Sequence, residues 1–312
     1  KRALKVVCSL RQEAEGRYGE LTPKGAEQHR ALIRRMYART PEVFADGVHV
    51  DARSTYKTRA FLSMAAACVE LKGLNPRLDI TTETSEHDAY YIKYKNPQYE
   101  AMHLENADSV YRAADSVYIH PARLMKQLFT DSAYVRKYIK DASGLMADLF
   151  ELHGISQSSY NQPDLSFLFT EQECYDLWQR NNFEWYYEKG ASPLSDACMY
   201  KLADTVIASK KKAVTLRYGH DTNLAPLAVL MGINRLSVST PDWYQIADTY
   251  RTYRIIPMCG NIQLIFYRKH KGGDILVRLL LNEREVTLPL ETDVAPFYHW
   301  KDLRKYWSDL IR

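Results

Sequence analysis

The chain has five cysteines in 312 residues, and none stands in a C-x-x-C pair or at any other metal-ligand spacing. A zinc-ribbon centre and a thioredoxin-type redox pair therefore have no support in the sequence. No apolar run approaches the roughly 18 residues that a membrane-spanning helix needs. Internal repeats and low-complexity linkers are missing, which argues against a solenoid or a string of tethered modules. Neither sign of charge dominates: 42 Lys and Arg against 38 Asp and Glu leave a net charge of +4. That surplus is too small and too spread out to point to nucleic acid, although it suits a small anionic substrate. Residues 1–10 contain too short an apolar stretch for a secretory signal, and Lys5 interrupts it. Leu4, Val7 and Cys8 fit one face of an amphipathic helix instead. Cys8 and Cys68 both fall at apolar positions of helical patterns, so the expectation is two buried free thiols.

What is present is ordinary for a folded domain: 46% hydrophobic and 26% charged residues, in a chain long enough for a large core and one or two domains. The 23 tyrosines are many. Tyrosine combines an apolar ring with a wet hydroxyl, and most of them read as structural.

Periodicity divides the chain. A helix is predicted over 23–39, with Ala26, Ile33, Met36 and Tyr37 on its apolar stripe and Arg30, Arg34 and Arg35 nearer solvent. Strands follow at 47–53 and 78–84, separated by a helix over 58–72 with Phe61, Leu62, Ala65, Cys68 and Val69 facing inward. Alternation of strand and helix implies a mostly parallel sheet. From about 86 to 210 the strand signal fades and helical periodicity dominates, punctuated by Asn96-Pro97, His120-Pro121 and Ser192-Pro193. Alternation resumes near 213. Late strands are expected at 262–268 and 275–281, joined by the hairpin signal Lys271-Gly272-Gly273-Asp274. The division is thus an α/β core from 1–85 and 211–312, interrupted by an α-helical cap over 86–210.

Three short segments carry chemistry. Residues 216–223 read Leu-Arg-Tyr-Gly-His-Asp-Thr-Asn, at the end of a short strand and the start of a helix closed by Gly232. His220 and Asp221 thereby sit at the carboxyl end of a strand, where α/β folds place ligands. An imidazole beside a carboxyl group offers an anion ligand or base together with a proton donor. Residues 53–63 place Arg53 and Arg59 between a strand and a helix, and guanidinium forks near a helix N-terminus suit a phosphate-sized anion. Residues 21–25, Leu-Thr-Pro-Lys-Gly, give a helix with Thr22 as cap and Pro23 in its first turn.

In this order the three segments resemble the histidine acid phosphatase family, the branch of phytases and acid phosphatases. That family carries L-T-P-x-G, then R-S-T-x-x-x-R-[TC]-x-x-S, then a late H-D-T-N or H-A-E. The chain departs at Ala60, where Thr or Cys is usual. The resemblance runs from about residue 15 to the end, including the late strands and a terminal helix after Trp300. It implies a phosphoglycerate mutase-like three-layer α/β core with an inserted helical cap and a site between them. It also implies hydrolysis of phosphate monoesters, among them phytate and other inositol polyphosphates, through a phosphohistidine. Arg59 and His220 would hold the phosphoryl oxygens, and Asp221 would protonate the leaving alkoxide. Because Asp221 must be protonated to act, mildly acidic conditions are favoured. Arg53, Thr222 and Asn223 would line the substrate pocket. No metal or other cofactor is implied, and the partner is a small phosphate monoester. The family resemblance also suggests a periplasmic or secreted protein.

One family segment is missing. None of the nine histidines stands in the R-H-G-x-R-x-P context that supplies the nucleophile. In the family this segment precedes L-T-P-x-G, so the expectation is a truncated chain whose nucleophile lies ahead of Lys1. The alternative is an inactive phosphate-ester-binding protein of the same fold. His220-Asp221-Thr222 favours the phytase and acid phosphatase pattern over the H-A-E of inositol polyphosphate phosphatases, although similarity along the whole chain could still place it near the latter. Other polar features read as bland: His49 as a core or surface histidine, His87-Asp88 as a polar loop into the cap, His120 as a helix-start residue. Lys210-Lys211-Lys212 reads as a charge run that suits a helix end.

Overall fold

In a computed structural model, residues 1–87, 92, 107–190, 214–270 and 272–310 are described. Asp88, Asn96-Pro97, Ser192-Pro193, the lysines at 210–212 and Lys271, named above, lie outside them.

The centre of the α/β portion is a parallel sheet of β1 (His49–Ser54), β2 (Asp79–Thr84) and β3 (Val214–Tyr218) in the order β2-β1-β3. β1 leads into helix α3 (Thr58–Leu74), which returns the chain to β2. Val50 and Ala52 on β1 are completely buried. They face α3 and the preceding helix α2 (Pro23–Arg39), packing with Ile33, Phe44, Met64, Ala67 and Leu71. The expected cap of α2 is present: the Gly25 amide donates to the Thr22 hydroxyl at 3.0 Å.

α3 is rotated relative to its sequence reading. Its buried stripe is Ala60, Met64, Ala67 and Leu71, whereas Phe61 and Val69 are exposed. Small residues let α3 approach the sheet closely, and this spacing of three and four fixes the face that meets it. Cys68 is buried, as expected, but Cys8 is exposed. The first helix, α1 (Arg2–Ala14), buries only Leu10 fully, and Leu4 stays in solvent.

Between β2 and β3 the described residues hold helices and no strand: α4 (Ala107–Tyr118), α5 (Ala122–Leu128), α6 (Ser132–Tyr138), α7 (Ala142–Ser156) and α8 (Glu171–Lys189). Asp131, Asp141 and Thr170 cap three of them, the last in a reciprocal capping box with Glu173. His120 immediately precedes Pro121, the N-cap residue of α5. One apolar cluster joins Leu124, Met146, Leu165 and Leu177 to Val6 and Val7 of α1. A larger one joins Phe183 and Tyr186 of α8 to residues from the last third of the chain, among them Tyr250, Val277 and Trp307.

After β3 comes α9 (Asp221–Leu230), then the one-turn helices α10 (Ile246–Thr249) and α11 (Thr252–Ile255). The chain ends with β4 (Ile262–Arg268), β5 (Ile275–Leu281), β6 (Arg284–Glu285), β7 (Phe297–His299) and α12 (Trp300–Leu310). The expected late hairpin forms, with β4 and β5 paired from Ile262↔Leu281 to Arg268↔Ile275. Among the described residues it belongs to a second, antiparallel sheet, so parallel pairing is confined to three strands. The two-faced sequence alternation of β4 and β5 shows hairpin pairing but not which sheet the hairpin joins.

Candidate active site

β1 and β3 are neighbours, with Arg53 opposite Arg217 and Ser54 opposite Tyr218. Their carboxyl ends therefore emerge side by side. The first residue past β1, Thr55, continues the pairing by donating its amide to the Tyr218 carbonyl at 3.1 Å. Its hydroxyl lies 3.0 Å from Nε2 of His220, two residues past the end of β3. This contact joins the segment that opens α3 to the segment that opens α9.

Each segment then presents a helix N-terminus. Lys57 precedes α3, and Arg59 stands exposed in its first turn. The Arg59 guanidinium makes no hydrogen bond or ion pair among the described residues, so a cation remains available at this edge. His220 is the N-cap residue of α9 in extended conformation, and its carbonyl accepts from the Asn223 and Leu224 amides at 3.0 and 3.1 Å. Asp221 and Thr222 are exposed, with the Asp221 carboxylate accepting from the Thr222 amide at 2.8 Å. Asn223 is buried, and its Oδ1 has no hydrogen-bond partner among the described residues. The dipole of a helix start favours an anion here.

Arg53 is engaged differently. Its Nε donates to Asp51 Oδ1 at 3.2 Å and its Nη1 lies 3.4 Å from Glu83. The other Asp51 oxygen accepts from Arg217 Nη2 at 2.9 Å, and the Asp51 carbonyl accepts from Arg217 Nη1 at 2.9 Å. Asp51 is only 4% exposed. A buried carboxylate needs such partners, and here they tie β1 to β3 just below the two segments. Asp51, Arg217 and Thr55 were not picked out as site residues in the sequence. Alternation along β1 carries the signal, since residues 51, 53 and 55 share one face of a strand.

Two other histidines are engaged elsewhere. His49 pairs with Asp79 at 2.8 Å on the outer strand and is partly exposed, in keeping with its bland reading. His29 on α2 packs edge-on to Tyr218, with ring centroids 6.1 Å apart, on the sheet face opposite Thr55. Burial lowers the pKa of His29 and pushes the Tyr218 phenol far above its ordinary value, so both stay neutral near pH 7. Among the described residues no group of three or more His, Cys, Asp or Glu side chains is arranged to hold a metal ion.

Arg59 and His220 thus lie on two segments that meet at one edge of the sheet through the Thr55–His220 contact, and both side chains are of types that can contact an anion. The chain is 23% identical to multiple inositol polyphosphate phosphatase 1 of Gallus gallus, over 94% of this chain and 69% of that protein. It superposes on the multiple inositol polyphosphate phosphatase of Bifidobacterium longum, solved with inositol hexasulfate, with a TM-score of 0.75 at 19% identity. That match covers 98% of this chain and 82% of the other. The phytase of Citrobacter braakii gives a TM-score of 0.60 at 15% identity, over 94% and 88% of the two chains. Residues 9–282 match the histidine phosphatase superfamily (branch 2), and the chain belongs to that family.

Proposed function

We propose that this protein hydrolyses phosphate monoesters of inositol polyphosphates, using Arg59, His220 and Asp221. The single observation that carries the reading is the 3.0 Å contact between Thr55 and His220, because it brings the Arg59-bearing and His220-bearing segments to one edge of the sheet. Similarity to proteins named inositol polyphosphate phosphatase supports the substrate class.

In this reading a histidine nitrogen attacks phosphorus, an N–P bond forms and the P–O bond to the inositol breaks. Arg59 and His220 stabilise the charge on the phosphoryl oxygens as the bond breaks. The departing alkoxide is strongly basic, so Asp221 gives it a proton. Water then attacks phosphorus, Asp221 takes up the proton, and the N–P bond breaks to release inorganic phosphate. The attacking histidine is not one of the nine in residues 1–312, none of which follows an arginine and precedes a glycine. Arg53, Thr222 and Asn223 serve as substrate-binding residues, Arg53 from the clamp that Asp51 provides. Residues 86–210 act as a helical cap over a core formed by 1–85 and 211–312. Among the described residues no helix is long and apolar enough to cross a membrane, and the reading places the protein in the periplasm or outside the cell.

The test is phosphate release from inositol hexakisphosphate, with and without a chelator, by protein that includes an Arg-His-Gly segment. Release that survives the chelator is expected. Substrate binding with no release would favour the inactive phosphate-ester-binding alternative.

A further inference from the structure

We infer that Thr55 is a positioning residue for His220: its hydroxyl holds the imidazole at Nε2 and fixes the ring plane that meets the phosphoryl group. The inference rests on the proposed role of His220.

Thr55 is completely buried. It is fixed on more than one side: its amide donates to Tyr218, and its carbonyl accepts from the Thr84 hydroxyl at 3.3 Å. The neighbouring Ser54 hydroxyl also bonds to Thr84 and donates to the Thr55 carbonyl at 3.0 Å. Just below, the Arg53–Asp51–Arg217 clamp sets how far β1 advances relative to β3. A β-branched side chain on so constrained a backbone has few rotamers, so its hydroxyl is a preorganised point rather than a mobile one. A buried hydroxyl left without a partner is costly, and His220 is the partner this one meets. An imidazole ligand loses affinity and selectivity when its ring can rotate, and a second hydrogen bond to the ring is the usual means of preventing that. The methyl group of Thr55 contributes packing alone, so the two roles of the side chain can be separated.

Thr55→Val removes the hydroxyl at nearly constant shape, and Thr55→Ser keeps it. The readouts are the ¹⁵N imidazole signals of His220 across pH and the affinity for inorganic phosphate, both in the 312-residue chain. Thr55→Val is expected to shift the His220 signals and its titration, and to weaken phosphate binding about tenfold. Thr55→Ser is expected to stay close to wild type. Circular dichroism checks the fold, and Thr55→Ala supplies the same hydroxyl deletion if the valine variant does not fold. Wild-type imidazole signals and phosphate affinity in the hydroxyl-deleted variant would overturn the inference. If wild-type His220 signals do not move when phosphate is added, the role of His220 as a phosphate ligand fails. The imidazole signals of Thr55→Val then still decide whether Thr55 holds the ring.

Discussion

Asp51 and Arg217 are joined twice across β1 and β3, once through the carboxylate and once through the Asp51 carbonyl, each at 2.9 Å. The carboxylate is buried and also holds Arg53. Asp51→Ala leaves two guanidinium groups side by side with no shared anion, and should destabilise the protein by about 3 kcal/mol in urea unfolding. Arg217→Ala should cost less, because Arg53 still compensates the carboxylate. Equal and negligible losses for both would mean that the clamp does not tie the strands.

Gly232 follows α9 with φ of +73°, and a Cβ there would lie 2.6 Å from the Tyr306 hydroxyl and 2.9 Å from Pro289 Cδ. Gly47 has φ of +75° with nothing within 4 Å. Gly47→Ala should therefore cost only the conformational term, about 1 kcal/mol, whereas Gly232→Ala adds a steric clash and should cost about 2–3 kcal/mol. Thermal or urea unfolding of both variants makes the comparison. Equal losses would show that the contacts around Gly232 give way without cost.

His299 sits between two carboxylates, with Nε2 2.7 Å from Asp293 and Nδ1 bonded to Asp274. Hydrogen bonding to Asp293, then to Asp274, raises the pKa of His299, and His299 in turn lowers that of Asp293. A raised histidine pKa contributes stability that is complete below the unfolded value near 6.5 and is lost as pH rises through the folded value. A lowered carboxyl pKa contributes above the unfolded value near 3.8 and is lost as pH falls. The stability difference between wild type and His299→Ala should thus be greatest near pH 5 and shrink by pH 9. Urea unfolding at both pH values reads it, and an unchanged difference would contradict the pairing.

Asp221→Asn separates proton donation from phosphate binding. In protein carrying the attacking histidine, it should slow alkyl phosphates by about 10²–10⁴-fold and aryl phosphates with good leaving groups far less. Arg59→Ala should harm both, since it removes charge stabilisation of the phosphoryl group itself. The same loss on both substrates for Asp221→Asn would remove Asp221 as the acid.

The parts of the fold that could be read from the sequence were those set locally. Thr22 capping Pro23–Arg39, the strand leading to His220, the Gly232 stop and the late hairpin each depend on a few adjacent residues. Phe61 and Val69 were misplaced because hydrophobicity alone does not choose between two faces of α3. The choice came from the close approach that Ala60 and Ala67 allow. Cys8 was expected inside for a similar reason, on a helix that buries only Leu10 fully. The Asp51 clamp and the Thr55–His220 contact depend on the register of strands whose residues are more than 160 positions apart. That register is a property of the assembled sheet, so one sequence shows the partners but not the pairing.

The most direct test of one shared site is calorimetric titration of inositol hexakisphosphate into the 312-residue chain and into Arg59→Ala, His220→Ala and the double variant. If both residues hold the same phosphate, each single change should weaken binding at least tenfold. The double variant should then be weakened by less than the product of the two single losses, because neighbouring ligands of one group are coupled. Wild-type affinity in either single variant, or losses that simply multiply, would place Arg59 and His220 in separate sites and contradict the account.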